Sequence, residues 1–145
     1  MGTWDIGPFD NDTAADFGGD LDDATSEERA SMVRGALERA ARPADHLDTP
    51  DGERAVAAVA LVVAQHSDGE PACSNHGPSK PLPELPAALR TLAVDALDRV
   101  VSHVSELAEL WAEAAHGARW RRDIARLRDV LDPPIPPQEE VLFEI

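Results

Sequence analysis

Several residue types are scarce in this chain, and each scarcity argues against a class of structure or function. A single cysteine, Cys73, cannot form an internal disulfide, and the N-terminus lacks the basic start and apolar run of a secretory signal. The longest nearly continuous apolar run, residues 55 to 64, is about half the roughly 20 residues that cross a bilayer. The sequence therefore predicts a cytoplasmic location and no membrane span.

Basic residues are also unevenly distributed, because none precedes Arg29. The first 28 residues hold 9 acids, and the remaining 117 hold 19 acids against 13 bases, so -9 of the net charge of -15 belongs to the first fifth of the chain. An acidic balance of this kind repels phosphate backbones and anionic lipid. We expect neither direct nucleic-acid binding nor binding to a membrane surface. Arginine outnumbers lysine 12 to 1 and alanine is abundant, a bias typical of high-GC bacterial genomes.

Apolar periodicity predicts an all-α fold, a compact single domain of about six helices. The domain is expected to span residues 1–132, with a long surface loop at 67–83 that is rich in proline and glycine, and a Pro-rich extended C-terminal tail at 133–145. The third helix is apolar all round, which is typical of a central, enclosed helix. The six helices are predicted at about 11–23, 25–42, 49–65, 86–101, 105–116 and 118–131, with Gly117 ending the fifth.

Local signals define the starts of the first two helices. Asn11 or Asp10 can cap the first helix, and Thr25 with Glu28 forms a capping box for the second. In the first helix Ala14, Phe17, Leu21 and Ala24 form one apolar stripe, and Asp12, Asp16, Asp20 and Asp23 lie on roughly the opposite side. Adjacent glycines and repelling carboxylates make this helix weak alone, so tertiary contacts or a partner must hold it.

Two segments carry a resemblance to a known family: GTWDIGPFDNDTAADF at residues 2–17, and SELAELWAEA at 105–114 with Trp120 after it. The chain resembles the bacterial family catalogued as domain of unknown function 4259, over nearly its whole length. The resemblance implies a shared helical fold and supplies no activity, cofactor or catalytic residue. The positions that identify the family are Trp4, Phe9, Asp10, Asn11, Asp12 and Trp111.

The aspartates of the first helix allow three interpretations. An EF-hand loop starting at Asp10 would need an oxygen ligand, a glycine and a bidentate acid where Ala14, Ala15 and Leu21 stand. A looser divalent-cation site remains open, but acids that favour the positive end of the helix dipole or face solvent explain the pattern more simply. Alternatively the carboxylates recognise arginines, either in this chain at Arg119 to Arg128 or on another protein.

Other candidate sites are incomplete. Glu113 and His116 have the Glu-x-x-His spacing of di-metal bundles, and His103 with Glu106 has the reverse, but the additional inward glutamates are missing. Cys73 and His76, with His66 nearby, lack the further ligands that zinc requires. The three tryptophans lie on apolar stripes or beside Pro-Phe, which favours burial over a ligand cage. We expect no catalytic residue, metal or cofactor.

Three functions fit these observations. The first is an inhibitor- or immunity-like protein-binding module, in which the acidic face of the first helix meets a basic protein. An enzyme or ligand-binding protein with an unrecognised pocket is the second, and Glu113, His116 and His103 supply its candidate groups. The third is a structural subunit of an oligomer assembled through the apolar C-terminal residues.

Overall fold

The computed structural model describes residues 7–42, 46–65 and 85–132, and in these residues it contains helices and no strands. This confirms the all-α prediction. The predicted loop at 67–83 and tail at 133–145 lie outside the described residues. No described helix has the length and apolar character needed to cross a membrane. The helices are α1 (Asp12–Asp23), α2 (Ser26–Ala41), α3 (Thr49–Ala64), α4 (Ala88–Val100), α5 (Glu106–Ala112) and α6 (Gly117–Leu131).

Helix α3 occupies the centre of the domain. It packs against α1, α2, α4, α5 and α6, and its residues from Ala55 to Val63 are all buried. Helices α2 and α4 pack on α3 and also on each other, which closes a three-helix core. The prediction that the third helix forms the core is confirmed, because a helix that is apolar all round must be covered on every side.

The start of α2 follows from its local sequence. The Thr25 hydroxyl accepts a hydrogen bond from the Glu28 N–H at 3.2 Å, and a Glu28 carboxylate oxygen accepts one from the Thr25 N–H at 2.9 Å. Both halves of the predicted capping box are therefore present, and they satisfy two amide groups that the helix itself leaves without partners.

A short extended link holds α3 and α5 together at their N-terminal ends. The Leu47 N–H donates to the Val104 carbonyl at 2.9 Å, and the Glu106 N–H donates to the Leu47 carbonyl at 3.0 Å. This makes an isolated parallel bridge between Leu47 and Ser105, both of which are buried. Helix α5 therefore begins at a point fixed against the beginning of α3.

The junction between α5 and α6 differs from the prediction. Helix α5 ends at Ala112, and Gly117 is the first residue of α6 rather than the residue that closes α5. A Cβ on Gly117 would overlap the backbone carbonyl oxygen of Trp111. The glycine is therefore required by the close approach of α6 to the end of α5.

Stacked tryptophans pack the same junction. The rings of Trp111 and Trp120 lie 5.7 Å apart at an interplanar angle of 8°. Trp120 is buried and Trp111 is half-buried, so neither forms part of an open aromatic cage. Trp4 lies outside the described residues. Leu110, on the same short helix as Trp111, is a large apolar residue that is 54% exposed.

Candidate functional site

Within the first family segment, residues 7–10 form a turn that leads into α1. The Asp10 N–H donates to the Gly7 carbonyl at 3.0 Å, and the Asp10 carboxylate accepts from the Gly7 N–H at 3.1 Å. Phe9 is buried at the tip of this turn. Asn11 caps α1, since its side-chain oxygen accepts from the Ala14 N–H at 2.7 Å. Asp10 therefore shapes the turn and Asn11 caps the helix, which resolves the two capping alternatives.

Helix α1 presents four carboxylates to solvent on one side. Asp12, Asp16, Asp20 and Asp23 are all exposed, and at 100° per residue they fall within an arc of about 80°. Within the described residues no hydrogen bond or ion pair engages any of the four. We call this surface, defined by these four aspartates, the acidic face.

The opposite side of α1 is anchored. Ala14, Phe17, Gly18 and Leu21 are buried, and the helix packs mainly against α3. At its C-terminal end, the guanidinium of Arg29 donates to the carbonyls of Leu21 and Ala24 at 3.0 and 3.2 Å. The carboxylates are therefore presented by a helix whose orientation is fixed by the core, as the apolar stripe in the sequence predicted.

The arginines of α6 make a different set of contacts. Arg128 pairs with Asp98 of α4 at 2.8 Å and with Asp132 at 3.5 Å, and Arg126 pairs with Asp123 at 2.8 Å. Helix α6 packs against α3, α4 and α5. Across residues 7–42, 46–65 and 85–132, no ion pair joins the acidic face to α6. The hypothesis that these arginines neutralise the acidic face inside the chain therefore has no support among the described contacts.

The candidate acid–base residues have separate structural settings. Glu106 accepts from both the N–H and the hydroxyl of Thr49, at 2.9 and 2.7 Å. These hydrogen bonds hold the pKa of Glu106 below its ordinary value of 4.5. His103, Glu113 and His116 are exposed.

No cluster of three or more potential metal ligands occurs in the part of the chain that the structure describes. Neither Glu-x-x-His fragment gains additional ligands there. Cys73, His76 and His66 lie outside that part, so the Cys-x-x-His hypothesis is not addressed by it.

The second family segment has structural roles that explain its residue types. The Ser105 hydroxyl caps α5 by accepting from the Ala108 N–H at 3.1 Å, and Glu106 caps α3. Leu107 packs closely against Gly52, because a Cβ on this glycine would lie 3.3 Å from the leucine side chain. Trp111 stacks on α6 as described above. The segment therefore fixes three helices relative to one another.

One buried acid was missed by the sequence interpretation. Glu53 is 8% exposed in the first half of the central helix, whereas the sequence interpretation found no inward-facing glutamate. Its position three and four residues before Val56 and Ala57, both buried, places it on the covered side of α3. That spacing was the available signal.

A groove of about 350 Å³ lies where the start of α4 meets the end of α6. Arg90 donates to the Leu131 carbonyl at 3.3 Å across it. The groove contains none of His103, Glu113 and His116, so it does not gather the groups on which the enzyme hypothesis depended. Its lining residues are Ala87, Arg90, Thr91, Val94, Leu131 and Asp132.

A comparison with known protein families gives a match over most of the chain. A family described as a domain of unknown function, DUF4259, matches residues 2–123. Searches among curated proteins and among solved structures found no significant match. The match covers the turn at Gly7 to Asp10, the acidic face and the second family segment at residues 105–114, and it extends into α6. The chain therefore belongs to the DUF4259 family.

Proposed function

We propose that this chain is a protein-binding module whose acidic face docks on a basic surface of a partner protein. The observation that carries the proposal is a fixed helix that exposes Asp12, Asp16, Asp20 and Asp23 together, with no cation bound to them among the described residues. Carboxylates at fixed positions on a rigid helix are suited to pairing with arginine or lysine.

The energetics of α1 support this proposal. Like charges four residues apart, such as Asp12 with Asp16 and Asp16 with Asp20, oppose helix formation by about 0.2–0.5 kcal/mol per pair. Gly18 and Gly19 each weaken the helix by about 0.8–1.0 kcal/mol relative to alanine. A basic partner would relieve the repulsion, and the acidic surface would accelerate its approach by electrostatic steering.

Affinity capture with a charge-matched control tests the proposal. The acidic-face variant carries Asp→Asn substitutions at the four positions. The control variant neutralises four exposed acids on α2, α4, α5 and α6, so both have the same net charge. The control substitutions are Glu38→Gln, Asp95→Asn, Glu109→Gln and Asp129→Asn.

A specific basic protein should be retained by the wild type and the control at about 0.1 M salt, lost at about 0.5 M salt, and lost with the acidic-face variant. The purified basic protein should then bind the wild type directly, and this binding should depend on salt and on the acidic face in the same way. Equal retention by the acidic-face variant would contradict the proposal, because binding would then use another surface.

A further inference from the structure

We draw no further inference here: the strongest candidate, the groove between the start of α4 and the end of α6, carries no ligand proposal, because Arg90 already donates to the Leu131 carbonyl across it and nothing in the described residues shows what would fill it.

Discussion

Glu106 joins two helices through one carboxylate oxygen. Asp48 precedes α3 but makes no side-chain capping hydrogen bond, and the Thr49 N–H donates to Glu106. Thr49 is the first residue of α3, so its N–H is one of the amides that the helix itself leaves without a partner, and this amide is satisfied from α5. His46 lies nearby and pairs with Asp48 at 3.0 Å.

This contact predicts a specific dependence of stability on pH. The folded pKa of Glu106 lies below its ordinary value of 4.5 because Thr49 donates two hydrogen bonds to the carboxylate. A lowered folded pKa contributes stability that is present above the unfolded pKa and is lost as pH falls through the folded pKa. Glu106→Gln should therefore lower the free energy of unfolding near neutrality, and its difference from wild type should shrink below about pH 4.5.

Denaturant titrations from about pH 6 to about pH 3 would measure this difference. Glu109→Gln, on the same helix and with an exposed side chain, is the matched control. Its free energy of unfolding should follow that of the wild type across the pH range. A Glu106→Gln difference that stayed constant across the range would show that the charge of the carboxylate is not involved.

Sequence reasoning succeeded at residues whose partners are close in the chain. Thr25 and Glu28 are three positions apart, and so are Asn11 and Ala14, so each pairing is visible in a short window. Glu106 and Thr49 are 57 positions apart, and nothing in either local pattern reveals the contact. The acidic face was predictable from its spacing, whereas the partners of the α6 arginines depended on how helices pack.

At the scale of elements, the junction between α5 and α6 brings the backbones of the two helices into close contact. Glycine just after a helix usually marks its end, and that signal led to the incorrect boundary at Gly117. Periodicity alone cannot distinguish a terminating glycine from one that allows two helices to touch. The backbone carbonyl oxygen of Trp111, which a Cβ on Gly117 would overlap, shows that the second role applies.

A pair of glycine substitutions tests this role. Gly117→Ala should lower the free energy of unfolding by about 1–3 kcal/mol, because the added methyl group overlaps backbone rather than a movable side chain. Gly35→Ala, in the interior of α2 with open space around it, should raise stability by about 0.5–1 kcal/mol. Chemical denaturation measures both, and equal effects of the two substitutions would contradict the close-approach explanation.

At the scale of the whole molecule, charge is distributed unevenly along the chain. The first 28 residues carry -9 and no base, whereas α6 is rich in arginine. The central helix was predictable because its apolar run has no exposed side. The placement of the acidic face relative to the arginines of α6 was not, since it depends on the tertiary positions of α1 and α6 against α3.

This distribution predicts that moderate salt stabilises the monomer. Raising ionic strength from about 0.01 to 0.15 M shortens the Debye length from about 30 to 8 Å and screens the repulsion among the carboxylates. The melting temperature of dilute protein should rise by about 2–5 °C. The rise should be smaller in the acidic-face variant, and a fall with salt would show that ion pairs such as Arg128 with Asp98 outweigh the repulsion.

The hydrogen bonds from Thr49 to Glu106 also constrain the order in which the chain folds. They close a loop of 57 positions, which contains all of α3 and α4, and long loops of this kind raise the contact order of a helical protein. During synthesis the first turn of α3 gains its cap only after α5 has emerged. Fragments that end before Ser105 should accordingly show a frayed start of α3 in amide hydrogen exchange, even where α2 is already protected.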